Sequence, residues 1–294
     1  MTNERIPSGL NALLLVGAAA IGATALFFAS HTSSLLVLLL AALIFSYAAN
    51  MLFALLHEAV HGVLFEDATL NTWGGRFASA WFPTGLSLQR AFHLNHHKHN
   101  RDPSERFDYL QPGESRWLKN AQWYSILTGL YWAFAAAGGL AWVFAPFAFA
   151  LGRGTSRFSR QTASATYFEA IQTIPPVVSR LEVLASWALQ AALFFTLDLS
   201  VTGWLVCYTA FAWQWSALQY ADHAWSPLDV TDGAWDLRVP RLHRWLFLNY
   251  HLHRAHHRSP KTPWLHLPAH ARSDGPSFWS VYRSMWRGPR ELRS

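Results

Sequence analysis

The sequence predicts an all-α, polytopic membrane protein with about four transmembrane helices and a histidine-rich cap on one side of the membrane. Three observations carry this. Of the 294 residues, 52% are hydrophobic and only 14% are charged, against about 25% in ordinary soluble domains. The deficit is local: Asp, Glu, Lys and Arg are absent from Leu10 to Leu56 and from Ala121 to Gly152, and Asp198 is the sole charge between Val183 and Ala221. Eight of the fifteen histidines stand in three short clusters near the ends of such stretches. The sixteen Trp and nine Tyr agree, because amphipathic rings collect at membrane–water interfaces.

Residues 10–30 form a first span and residues 35–56 a second. The second has 22 residues, about 33 Å of helix, enough to cross a hydrocarbon layer of about 30 Å. The first apolar run is long for the core of a signal peptide and a second run follows it almost at once, so it reads as a retained span. The link His31–Ser34 carries no Lys or Arg and is placed outside, which brings His57 out on the inner side. Residues 62–120 are mixed. Phe77 to Leu88 reads as an amphipathic piece in the interface, or equally as a core helix, broken at Pro83. Arg90, Lys98, Arg101, Arg106, Arg116 and Lys119 place this region inside.

The run 121–152 poses a topological problem. Arg153, Arg157, Arg160 and Arg180 follow it and also read as inside, so the run is expected to be re-entrant, turning around Gly138-Gly139 and Pro146, or to lie along the interface. A single long crossing is the alternative. Non-helical backbone at that depth needs protein cover. Residues 179–197 and 201–220 then make a second hairpin, with Asp198 at the outer turn and His223 delivered inside. The whole chain, 1–294, reads as one domain with both termini and all histidine clusters facing the cytoplasm. The single cysteine, Cys207, rules out a disulfide framework and fits a reducing compartment. Net charge is +6, and after Asp236 eleven Lys or Arg face two acids. This reads as the positive-inside rule with contact to membrane lipids, or as a docking face for an acidic redox partner. No nucleic-acid-binding motif is present.

The clusters are His57-Glu-Ala-Val-His61, His93-Leu-Asn-His96-His97 and His253-Arg-Ala-His256-His257. On a helix, positions three or four apart share a face, so each cluster can aim several imidazoles at one place. Neutral imidazole is the commonest side-chain metal ligand. Eight exceed the four that a tetrahedral zinc takes and suit two metal ions. Two rival readings stand beside this one. His57-Glu58-Ala-Val-His61 also matches H-E-x-x-H of zinc proteases, with Glu58 as general base, and would make an intramembrane protease. A non-enzymatic metal carrier is the other, although carriers place polar ligands near mid-membrane and here the histidines wait at the ends of the spans.

Taken in order from about Ala49 to Pro268, the three boxes and flanks such as FHLNHHKHNRDP and NYHLHRAHHRSPKTPWLHLP resemble the membrane fatty acid desaturase/hydroxylase superfamily. That resemblance implies a non-haem di-iron centre, two Fe ions held by His57, His61, His93, His96, His97, His253, His256 and His257, with O2 as co-substrate. It also implies a further histidine beyond the last span, preceded in acyl-CoA desaturases by Asn in an N-x3-H pattern. The matching stretch here is Gln219-Tyr-Ala-Asp-His223, which makes His223 a ninth ligand and replaces the Asn by Gln219. Gln219, Asp222 and Glu58 are candidates for orienting ligands from behind. The implied reaction is O2-dependent oxidation of an aliphatic lipid chain: desaturation of a fatty acyl group first, hydroxylation or ketolation of a lipid or carotenoid as the alternative. No H-P-G-G motif of a fused cytochrome b5 is present, so electrons are expected from a separate, ferredoxin-like carrier. His99 and His251 adjoin the boxes off-pattern, and His31, His243, His266 and His270 read as ordinary surface residues.

Overall fold

A computed structural model describes residues 4–147, 149 and 164–292, and these are mostly helical. The helices run α1 Ser8–His31, α2 Leu35–His61, α3 Ala68–Ser79, α4 Gly85–His99, α5 Arg116–Leu127, α6 Leu130–Phe144, α7 Ser164–Ile171, α8 Pro176–Thr196, α9 Val201–Ala221, α10 Arg241–Leu246, α11 His253–Arg258 and α12 Phe278–Met285. A two-residue parallel pairing of Tyr109–Leu110 with Arg290–Glu291 ties the C-terminal segment to the loop after α4.

Among the described residues, α1, α2 and α8 are each long and apolar enough to cross a membrane, and the bent pair α5–α6 counts as a fourth if taken as one span. Three to four candidate spans stand beside the expectation of about four. The segment expected at 201–220 is the 21-residue helix α9, long enough to cross yet less apolar than those spans. Two of its polar side chains bond inside the bundle: Gln214 Oε1 accepts from Asn50 Nδ2 at 3.0 Å and Ser216 Oγ donates to the Ile126 carbonyl at 2.6 Å. Helices α1, α2 and α9 enclose the main core around Phe45, Leu52, Leu55, Leu56 and Phe211. Outward, Leu13, Val16, Leu35, Leu36 and Phe195 are exposed, as a lipid-facing surface requires.

The break expected at Pro83 is present: α3 ends at Ser79 and α4 begins at Gly85. One expected feature is corrected. The apolar run does not turn at Gly138-Gly139, which lie within α6. It bends by 98° between α5 and α6, where Gly129 has φ +80° and its missing Cβ would stand 2.6 Å from the Trp213 amide nitrogen. A left-handed residue jammed against backbone must be glycine. Pro146 follows the end of α6. Arg153, Arg157 and Arg160 lie outside the described residues.

Helix α2 continues five residues beyond the expected span end, so His57 and His61 sit in its last turns. Gly62, at φ +77°, caps it, with Val63 N donating to the Glu58 carbonyl at 2.9 Å. Arg90 donates to the Ala59 and Val60 carbonyls at 2.8 and 3.2 Å, and Asn71 Nδ2 to Ala59 at 3.1 Å. A cation at a helix C-terminus satisfies orphan carbonyls and complements the dipole. At the other end of the same connection, Glu182 of α8 accepts from Ser87 N at 2.6 Å, inside the first turn of α4, and pairs with Arg76 of α3 at 2.9 Å. A side chain from α8 thus caps the helix that carries His93, His96 and His97.

Two outcomes follow from this arrangement. Glu182→Ala leaves Arg76 and Ser87 N without their acceptor, at a cost of about 1–3 kcal/mol; thermal unfolding in detergent should show the loss, with Glu182→Gln retaining most of the stability. For topology, Ser33→Cys and Lys98→Cys in a Cys207→Ser background should label from opposite sides. Arg116→Cys and Phe147→Cys should both label from the Lys98 side. Opposite labelling of that last pair would show that α5–α6 crosses.

Candidate metal centre

Four segments deliver the nine histidines: the end of α2 (His57, His61), α4 (His93, His96, His97), the residue after the cap of α9 (His223) and α11 (His253, His256, His257). The structure brings all nine together, in two groups. His57, His61, His93, His97 and His256 form one, and His96, His223, His253 and His257 the other; within each group one nitrogen per ring lies within 4.8 Å of every other. Both H-x-x-H-H boxes are split between the groups. The reason is helical geometry. His93 and His97, four apart, share a stripe, while His96 is turned about 100° from His97. His253 and His257 share a stripe on α11 and His256 is turned away in the same manner. One box therefore serves two sites.

The donor set behaves as a ligand cage. His97 Nε2 lies 2.9 Å from Nε2 of both His93 and His256, and His96 Nε2 lies 3.1 Å from His223 Nε2. One N–H can serve one such contact, so a knot of three facing nitrogens cannot be satisfied by hydrogen bonds alone. The buried Nε2 atoms of His57, His61 and His257 have no hydrogen-bond partner. Buried orphans of this kind are costly, and a cation within each group satisfies them together. Burial holds His93, His97, His223, His253, His256 and His257 below the ordinary imidazole range, and the crowding of neighbouring imidazoles adds to it. Neutral imidazole is the ligating form. An all-nitrogen donor set suits Fe, Zn, Cu or Ni.

Long-range staples hold the segments in register. Arg101, just after α4, forms a bidentate pair with Asp108 at 2.9 and 2.8 Å, both 3% exposed. Asp108 also accepts from Trp225 N at 2.6 Å, two residues past His223. Asp236 accepts from Ala255 N and Arg272 N at 2.9 Å each, and Trp235 N donates to the Asp222 carbonyl at 2.7 Å, which moors α11 to the end of α9. Two outer ring nitrogens are also engaged: His223 Nδ1 with the Gly233 carbonyl at 2.8 Å and His96 Nδ1 with Glu105 at 3.3 Å. Such bonds select the tautomer that leaves Nε2 free to ligate.

The three residues expected behind the ligands have distinct surroundings. Glu58 is buried and its Oε2 accepts from Trp264 N at 2.9 Å, while Oε1 is 3.9 Å from His57 Nδ1, beyond a hydrogen bond. Asp222 is fully buried between His253 Nδ1 at 3.7 Å and His223 Nε2 at 3.9 Å, and burial pushes its carboxyl upward. Gln219 accepts from Tyr250 OH at 2.9 Å; the Tyr250 ring lies 4.9 Å from that of His57 and 5.3 Å from that of His253. The remaining six histidines stand outside both groups: His99 pairs with Asp102, His243 with Tyr47, His270 with Glu4, His266 with the Arg5 carbonyl and His31 with Phe27, while His251 is buried apart from them.

A cavity of about 350 Å³ reaches the cage at His93, His96, His223 and His253. Its walls are largely apolar, with Phe82, Phe92, Phe134, Trp142 and Ile171 among them. Sequence reasoning missed these walls, Tyr250, Glu105 and the Arg101–Asp108 pair. Only the charges of the segment Asn100–Asp108 marked that loop, and nothing in them revealed burial.

In comparisons with known proteins, the family model for fatty acid desaturase matches residues 32–288. No curated protein matches the chain.

With metal stripped, the cage destabilises the fold at acid pH. The folded chain resists protonating these histidines, whereas the unfolded chain accepts protons below about pH 6.5. Stability is therefore fully present above that value and falls as pH drops below it; the raised carboxyl of Asp222 acts in the opposite sense, but it is one group against six. The melting temperature of the chelated protein should be flat from pH 7 to 8 and fall from pH 6.5 to 5. Adding Fe2+ at pH 7 should raise it, through a stabilisation of about 2.7 kcal/mol per site at a hundredfold excess over Kd.

Proposed function

The chain belongs to the fatty acid desaturase family, and from that premise we propose that it is an O2-dependent, di-iron membrane oxidoreductase that introduces a double bond into a fatty acyl chain. The observation that carries this reading is the pair of histidine groups beside an apolar cavity. His57, His61, His93, His97 and His256 would hold one iron ion and His96, His223, His253 and His257 the second. When bound, the two ions supply activation of O2 and the oxidising power to remove hydrogen from an unactivated methylene. The chain's own residues do the rest. Phe82, Phe92, Trp142 and Ile171 line the cavity and exclude water from an aliphatic chain lying along them. Rigid placement of one methylene pair beside the cage is worth several kcal/mol of activation barrier. The Gln219–Tyr250 bond keeps a tyrosine ring packed over His57 and His253.

The balance is –CH2–CH2– plus O2, two electrons and two protons, giving –CH=CH– and two waters. In this reading a separate, ferredoxin-like carrier supplies the electrons, and the basic segments that flank the cage offer it a docking face on the cytoplasmic side. The substrate is an acyl lipid and membrane lipids surround the spans. A zinc-protease role for His57-Glu58-Ala-Val-His61 is disfavoured, because Glu58 is bonded to Trp264 N and its two histidines share a group with three others.

Purified enzyme given donor, O2 and fatty acyl substrates should yield a product two mass units lighter. A gain of sixteen units carrying label from 18O2 would make it a hydroxylase and leave the iron assignment intact. His96→Ala and His256→Ala, one from each group, should each abolish turnover while the protein still inserts into membranes.

A further inference from the structure

The two histidine groups differ in what stands behind them. His96 is the one member of either group, among the described residues, with a carboxylate oxygen at hydrogen-bond distance: Glu105 Oε2 lies 3.3 Å from its Nδ1. The other carboxylates near the cage stay farther off, at 3.7 to 3.9 Å from His253, His223 and His57. On its opposite side His96 presents Nε2 to His223 Nε2 at 3.1 Å. The carboxylate, the imidazole and the metal position of the four-histidine group are thus in series. The five-histidine group has no such contact.

Glu105 is also built in place. It ends the 3-10 turn Pro103–Glu105, closed by Glu105 N donating to the Asp102 carbonyl at 2.8 Å. Gln111 Nε2 donates to the Pro103 carbonyl at 2.6 Å. The bidentate pair of Arg101 and Asp108 pins the chain on both sides of the turn. The Glu105 side chain is only 3% exposed and lies on the wall of the cavity. A buried carboxylate is costly unless it is paired, and the imidazole N–H of His96 and the Tyr167 hydroxyl are the partners at hand. Accepting that proton-bearing nitrogen fixes the tautomer and the ring plane, and the negative charge strengthens Nε2 as a donor.

We propose that Glu105 is a positioning residue for His96, and that the four-histidine group depends on it for metal affinity while the five-histidine group does not. This rests on the two-metal reading above. The test uses the full chain in detergent, loaded anaerobically with Fe2+ and titrated with a competing chelator, with bound iron counted per chain. Wild type should hold two ions. Glu105→Leu should weaken one of them by about 10- to 100-fold and leave the other unchanged. Glu105→Gln, which keeps the shape and an acceptor but not the charge, should weaken the same ion by a smaller factor. In a His96→Gln background, Glu105→Gln should cause no further loss, an outcome that general destabilisation would not produce. Wild type holding two ions with both Glu105 variants unchanged, or with both ions weakened equally, overturns the proposal and spares the two-metal reading. Wild type holding fewer than two ions overturns that reading, and the proposal falls with it.

Discussion

Nine imidazoles can be buried at one end of an apolar helix bundle only if polar contacts that are themselves satisfied hold each contributing segment there. Helix packing alone does not do this. Helices α2 and α9 are fixed by core residues such as Phe45 and Phe211, whereas α4 enters that core through Leu86 and α11 contributes no residue to it; these two carry six of the nine rings. Their placement depends on buried side chains reaching across the chain: Arg101 with Asp108, Asp236 with the start of α11, Arg90 on the end of α2 and Glu182 on the start of α4. Partly satisfied networks of this kind are worse than apolar packing, whereas complete ones specify a unique arrangement.

The split of each H-x-x-H-H box between two groups follows from its spacing. Two histidines four apart enter one group and the intervening neighbour enters the other, so α4 and α11 each contribute to both groups. The short length of α11, six residues, is no handicap, because Asp236 and the Trp235 carbonyl engage the amides of its first turn. The two groups differ in number of rings and in the carboxylate behind His96, so they offer unequal surroundings to otherwise similar ligands.

The apolar cavity gives the fold its second functional element. It draws on α4, α6, α7 and α9, and α6, set off from α5 by the bend at Gly129, contributes Phe134 and Trp142 to its wall. Phe134 both lines the cavity and is exposed, which joins the interior of the protein to its lipid-facing surface. Under the proposed function an aliphatic chain would lie along the aromatic walls while the histidine cage is held from behind.

The sequence by itself determined the helical membrane class and the identity of all nine clustered histidines. These follow from local properties: charge-free runs of membrane length, and side chains whose spacing sets their face on a helix. Membership of the cage was legible even for His223, because its place after a span and its match to a family pattern are both linear features. The tertiary structure decided what depends on distant neighbours. Gly129 rather than Gly138-Gly139 turns the chain because Trp213 of another helix presses against it. Gln219 serves Tyr250, and Glu58 serves Trp264, because those partners arrive from loops far along the chain. Glu105 reads in sequence as one more charge in a polar loop. Only folding buries it against His96, since burial and pairing are properties of the assembled bundle and not of a segment.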